Sequence, residues 1–257
     1  MMEVIHAIQR CCGERTTEAY RNSLQNFDSF ISVSANDLLS VSIASLDVAR
    51  KFRDGWSLFI DADIRLYTGA YSIMQKSIHS LPPDIYQVRF ACDDKLLGVP
   101  LYGVHLHRNK LTKAAYKWFC SKAKQGIRSE SQNIKYYIES NNLKTLTIPI
   151  VVGSHDYEQY LADIAVKYAI RGVRYRQKLD RMLSILNHQP QDTDRMVAIE
   201  AIKLSHLLPE TIHASRKVID GSAFIARIGL CEKKPMVGNK GSEDIGRICP
   251  LMNAPFP

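Results

Sequence analysis

Apolar positions along the first sixty residues come in short runs divided by amphipathic stretches. Val4–Ile8 is an apolar run of strand length, followed by a polar segment with Gly13 and the pair Thr16–Thr17, which supply turn and helix-capping chemistry. Ala19, Tyr20 and Leu24 recur at helical spacing, Phe27–Val33 reads as a second strand, and Leu38, Val41, Leu46, Ala49 and Phe52 mark a helix over 37–53. Trp56–Ile60 is the most apolar of these runs, opened by Gly55 and closed by Asp61-Ala-Asp63, and its length and flanks suit a buried strand. The order β-α-β-α-β predicts an α/β fold whose mostly parallel sheet is flanked by crossover helices.

Further along, the pattern predicts a helix over 69–79 ending at Pro82-Pro83, and a strand over 86–90 punctuated by Asp93-Asp94. An alternating stretch follows over 98–107, then helices over 111–123 and from Glu130, and a β-branched strand over 145–152. Gly153-Ser-His-Asp156 reads as a turn, capped by Ser154 or Asp156, into one long helix over 157–186, with another helix reaching about 207. The expected division is a nucleotide-binding and catalytic unit over 1–153, a helical extension over 154–220, and a loosely held Gly-, Pro- and Lys-rich tail over 221–257.

Composition keeps the chain among globular proteins, with 46% hydrophobic and 23% charged residues. No apolar run approaches the roughly 20 residues of a bilayer span, and no signal-peptide pattern opens the chain, so a cytoplasmic location is the expectation. The six cysteines form no C-x-x-C pair and read as free thiols. The net charge of +8 changes the picture more, because it calls for an anionic partner. Part of it is local: Arg171, Arg174, Arg176, Lys178 and Arg181 form a basic stretch suited to a solvated helix face or to peripheral docking on an anionic inner-membrane surface. Nucleic-acid signatures are absent, so nucleic acid is not the expected partner.

Chemistry concentrates at Asp61 and Asp63. Residues two apart on an extended segment point the same way, and strand ends in open α/β sheets are where ligands bind. Two such carboxylates suit a hard divalent cation that also takes phosphate oxygens, the plain alternative being an acidic turn. His105 and His107 alternate on an apparent strand and read as acceptor-site lining or ordinary strand surface.

The opening strand, the Glu14-Arg-Thr-Thr helix start, the strand ending in Asp61-Ala-Asp63 and the late Gly153-Ser-His-Asp-Tyr-Glu158 together resemble the GT-A glycosyltransferases, and most the family-2 type of bacterial surface-polysaccharide synthesis. The resemblance covers about 4–178. It implies a metal-dependent, hexosyltransferase-like enzyme that moves a sugar from a nucleotide-diphosphate donor to a carbohydrate or lipid-linked acceptor. It also implies that Gln9, Arg10, Glu14 and Arg15, with Asp61, hold the nucleotide, and that Asp61, Asp63 and His155 hold Mn²⁺ or Mg²⁺. A general base, Glu130 with Asp93 and Asp94 as rivals, would take the proton of the acceptor hydroxyl. One departure stands out. The segment 40–47 carries serines where many members have an Arg or Lys for the diphosphate, leaving Arg10, Arg15 and Arg65 as replacements. That departure favours the alternative, a nucleotide-binding protein of this fold without transfer activity.

Overall fold

The computed structural model describes residues 3–12, 14, 16–124, 129–156, 159–189, 191–209 and 219–234. Strands β1 (Ile5–Cys11), β2 (Ser29–Ser34) and β3 (Trp56–Asp61) pair in parallel, joined by α1 (Thr17–Arg21) and α2 (Leu38–Ala49). The side-chain cap expected of the Thr16–Thr17 pair is not made, since Thr16 Oγ1 turns to the Ala62 carbonyl, whereas α2 is capped by Asp37, whose carboxylate accepts from the Ser40 amide at 2.9 Å. After β3 come β4 (Ile64–Leu66), α3 (Ala70–Ile78), β5 (Ile85–Asp94), β6 (Pro100–Arg108), α4 (Asn109–Lys122), α5 (Ser129–Ser140) and β7 (Lys144–His155). The sheet order is β2-β1-β3-β6-β5-β7-β4. Five of its seven strands run one way, and β6 and β4 run against them. The fold is therefore α/β with a mostly parallel sheet, as the alternation of runs predicts.

Helices cover both faces, which is why β1 and β3 are buried along nearly their whole length, only His6 and Asp61 being part-exposed, rather than alternating. Ala70, Met74 and Ile78 of α3 pack on one face with Leu58, Ile60 and Val88. On the other, Leu39 and Leu46 of α2 meet Phe59, Phe119 and Tyr137. A third core joins α6 (Leu161–Arg174), α7 (Leu179–Leu186), α8 (Thr193–Leu204) and α9 (Gly221–Arg227) to Leu96 and Leu97 of the β5–β6 turn. Among the described residues no helix is long and apolar enough to cross a membrane.

Several sequence expectations are corrected. β5 continues through Asp93 and Asp94, and β7 through Gly153, Ser154 and His155, because the two strands keep pairing to the end (Asp93 with Ser154, Asp94 with His155). β4 secures the other edge of that end, pairing Ile64 with His155 and Leu66 with Gly153. At three residues β4 is too short for periodicity to reveal. The expected boundary at 153 thus falls inside a strand.

The expected single helix over 157–186 is broken: α6 ends at Arg174, a 3₁₀ turn occupies Arg176–Lys178, and α7 follows. A continuous helix of that length would be about 45 Å long. The break folds Met182 and Leu186 back onto the same apolar cluster as α6. Neither Ser154 nor Asp156 caps α6. Its first amides, of Leu161 and Ala162, are taken by the Glu232 carboxylate at 2.7 and 2.9 Å. The stretch 221–234, expected in the tail, is therefore packed, with α9 in the helical core; 235–257 lie outside the described residues.

Gly153 lets the strand end close. A Cβ there would sit 2.5 Å from the Arg65 carbonyl oxygen, closer than the pairing of β4 and β7 allows. Gly153→Ala is expected to destabilise the fold by about 1–3 kcal/mol, the range for a forced backbone shift in a packed site. Urea denaturation of the two proteins measures the difference.

Candidate functional site

Strand ends deliver the acidic residues to a single cleft of about 210 Å³. Arg10 and Asp61 come from β1 and β3, His155 from β7, and Asp63 from the turn between β3 and β4. The turn is locked from several sides. The Ala62 amide donates to the Arg10 carbonyl (2.9 Å), Thr16 Oγ1 donates to the Ala62 carbonyl (2.8 Å), and the Asp156 amide donates to the Asp63 carbonyl (3.2 Å). α6 closes the cleft and turns Lys167, Arg171 and Arg174 toward it. These lie four and three residues apart, on one side of the helix.

Charge in the cleft falls into two groups. In the first, the buried Arg10 bonds Asp61 Oδ1 at 2.7 Å and Glu130 Oε1 more closely. Burial opposes the charge on Arg10, but Asp61 and Glu130 outweigh it and raise its pKa. Asp61 is 32% exposed on its cleft side. Burial, with the charges of Glu130 and Asp63, raises its pKa against the pull of Arg10 and Lys167.

In the second group, Lys167 Nζ donates to Asp63 Oδ2 at 2.7 Å and to Asp156 Oδ1, and lies 3.1 Å from His155 Nε2. His155 Nδ1 meets Asp94 Oδ2 at 2.9 Å, and Arg171 approaches Asp94 and Asp156 at 3.4 and 3.5 Å. Asp94 is also gripped by the amides of Leu96 and Leu97 at 3.0 and 2.8 Å. Burial would raise the carboxyls of Asp63 and Asp94. Lys167 and His155 hold the first well below the usual range, and Arg171 and His155 lower the second. Against the carboxylates of Asp63, Asp94 and Asp156, Lys167 and Arg171 leave one negative charge over, which a protonated imidazole cancels. Burial disfavours that protonation, but Asp156 and Asp63 outweigh burial and Lys167, and push the His155 pKa up to about 10.

Asp63, His155 and Asp156 bring one ligand atom each to within 4.8 Å of one another, an O₂N set that matches a divalent cation only when the imidazole is neutral. Asp63 Oδ1 and Asp156 Oδ2 are buried without a hydrogen bond. Asp156 reaches its place through a left-handed backbone (φ 62°), a conformation that aspartate tolerates better than most residues.

Of the residues singled out from sequence, Arg10, Glu14, Asp61, Asp63 and His155 line the cleft together. Gln9 is buried beside it, its amide donating to the Thr17 carbonyl at 3.0 Å. Arg15 lies outside the described residues. Asp61 stands with Arg10 rather than in the O₂N cluster. Glu130 faces Arg10. Asp94 is sealed beneath His155, and Asp93 alternates to the other side of β5, 3.5 Å from the Tyr67 hydroxyl. His107 is in the core, stacked on Phe59 at 4.5 Å, and burial pushes its pKa well down; burial likewise lowers His105 to about 4. In the basic stretch Arg171 is buried in the site, while Arg176, Lys178 and Arg181 are exposed. Lys167 and Arg171 put positive charge on the α6 wall of the cleft; the sequence reading had Arg171 only in the basic stretch and did not single out Lys167. Their i, i+4 spacing on the helix after His155 was the available signal.

No protein-family model and no curated protein sequence matches the chain. Among solved structures it is similar to a glycosyltransferase involved in glycosylation of the major capsid of PBCV-1, at 13% identity and TM-score 0.40, over 56% of this chain and 81% of that one. It is also similar to a mannosyltransferase from Pyrobaculum calidifontis in complex with GDP-Man and Mn²⁺, at 9% identity and TM-score 0.45, over 89% and 80% of the two chains. A third is the 4-diphosphocytidyl-2C-methyl-D-erythritol synthase of Anaerococcus prevotii DSM 20548, at 12% identity and TM-score 0.36, over 60% and 90%.

A histidine whose folded pKa is raised stabilises the fold fully below its unfolded value and loses that contribution as pH rises through the folded one. Stability is therefore expected to decline between about pH 6.5 and about pH 10 through His155. Guanidinium midpoints at the two ends of this window check it: the decline should shrink in His155→Asn.

Proposed function

We propose that this chain is a GT-A-like glycosyltransferase that binds a nucleotide-diphosphate sugar in the cleft at the carboxyl ends of β1, β3 and β7 and transfers the sugar to a carbohydrate acceptor. The observation that carries the reading is the pairing, in one cleft, of an acidic cation seat with the buried cations Arg10 and Arg171. A diphosphate needs positive charge along its length, and a neighbouring ribose needs acceptors for its hydroxyls. Asp61, open to the cleft, is the acceptor for the ribose. Glu14 and Arg10 border the nucleotide from the β1 side. On the α6 side, Lys167, seated between Asp63, His155 and Asp156, and the neighbouring Arg171 supply positive charge for the departing diphosphate. The sugar's acceptor hydroxyl attacks the anomeric carbon, its proton passing to a carboxylate, and Glu130 takes that role once it is released from Arg10.

The close bond between Glu130 and Arg10 favours a second reading, in which the chain binds the nucleotide without transferring its sugar. A carboxylate held on a guanidinium is a poor proton acceptor.

Calorimetric titration with uridine, guanosine and cytidine diphosphates is expected to find one that binds. A lost hydrogen bond to a charged group costs about 1.5–3 kcal/mol, so Asp61→Ala should weaken that affinity about 10–100-fold. Incubation with the matching nucleotide sugar and an acceptor extract should release the nucleoside diphosphate. Binding without release assigns the chain to the second reading, and failure to bind every nucleoside diphosphate overturns both.

A further inference from the structure

We propose that Lys167 is the resident cation of this site: its ammonium group fills the seat between Asp63, His155 and Asp156 and keeps divalent metal out. Nζ contacts each residue of the O₂N set, at 2.7 Å from Asp63 Oδ2, 3.1 Å from His155 Nε2, and closest to Asp156 Oδ1. Divalent ions bind oxygen at about 2.0–2.6 Å, so an ion drawn to the same atoms would overlap the ammonium nitrogen. One of the two must leave.

Lys167 is not a loose surface residue that happens to bend inward. α6 carries it, and that helix is fixed by Leu161, Ile164 and Tyr168 in the helical core and by Glu232 at its amino end. Leaving the seat would strand two carboxylates that are almost wholly buried, Asp63 and Asp156. Removing one partner of a buried ion pair is strongly destabilising because the other charge stays uncompensated. The charge count agrees with the geometry: Lys167 and Arg171 already balance most of the local negative charge, so a dication has little left to neutralise. Lys167 also opens onto the cleft, being 29% exposed on its wall. Its charge is in place for the diphosphate, resting on the function proposed above, without a metal bridge.

The test reads metal binding directly. Mn²⁺ is titrated into the full chain and into Lys167→Met and Lys167→Gln, followed by the loss of free Mn²⁺ signal in electron paramagnetic resonance. The wild-type chain is expected to bind no Mn²⁺ at micromolar concentrations, whereas the neutral variants bind one ion each, and adding Asp63→Ala to either abolishes it. Thermal melting supplies a second measurement that works even for a weakened fold: Mn²⁺ should raise the midpoint of the variants and leave the wild type unmoved. Stoichiometric Mn²⁺ binding by the wild type, lost in Asp63→Ala, overturns the proposal, as does a folded Lys167→Gln that takes up no ion. The nucleotide arm is separate. Nucleoside diphosphate affinity of the wild type should agree in EDTA and in Mn²⁺ within about twofold. A strict Mn²⁺ requirement overturns Lys167 as the resident cation. Absence of nucleotide binding in every state overturns the glycosyltransferase reading while the Mn²⁺ results still decide the role of Lys167.

Discussion

A buried carboxylate must be matched by a positive charge or by donors, and this requirement shapes the carboxyl edge of the sheet. Asp94 and Asp156 are almost wholly removed from water, and Asp63 nearly so. The effective cost of taking each ion from water is several kcal/mol. Lys167, Arg171 and His155 offset that cost, and they come from elements distant in sequence from Asp63 and Asp94. The site and the docking of α6 on the sheet are thus one construction. The helix cannot be withdrawn without exposing unpaired carboxylates, and the carboxylates cannot be buried without the helix.

The same edge shows how strand pairing places chemistry. β7 stays in the sheet to His155 because β5 pairs on one side and the short β4 on the other. That pairing sets His155 opposite both Ile64 and Asp94, and the reversal from β3 into β4 brings Asp63 across from it. The close approach at Gly153 belongs to this arrangement, since a side chain there would force apart the strand ends that hold the charges. Asp156, just beyond, is held in a left-handed conformation that turns its carboxylate inward.

Charge also distinguishes the two sides of the cleft. On the β1 side, Arg10 is shared between Asp61 and Glu130, of which Asp61 is the more open. On the α6 side, cations and carboxylates are near balance. Under the proposed function, a diphosphate in the cleft would meet the buried guanidinium of Arg171 and the partly exposed ammonium of Lys167, both already oriented by their carboxylate partners.

The sequence by itself determined the α/β class, the buried strand ending in Asp61 and Asp63, and the candidacy of Arg10 and His155, because hydrophobic runs and strand-end acids are local features. It could not place Lys167. A lysine on an amphipathic helix reads as solvated face, and only the packing of α6 against the ends of β3 and β7 makes it the centre of a cluster. Nor could it separate Asp93 from Asp94: adjacent on a strand, they point to opposite faces, and which face meets the charged helix is decided by the sheet's neighbours. Glu130 was visible as an acid at a helix start, but its pairing with Arg10 joins residues 120 positions apart. Local patterns dictate local structure, whereas the partners of a buried charge are chosen by the tertiary fold, since the cost of leaving it unpaired is felt only once water has been excluded.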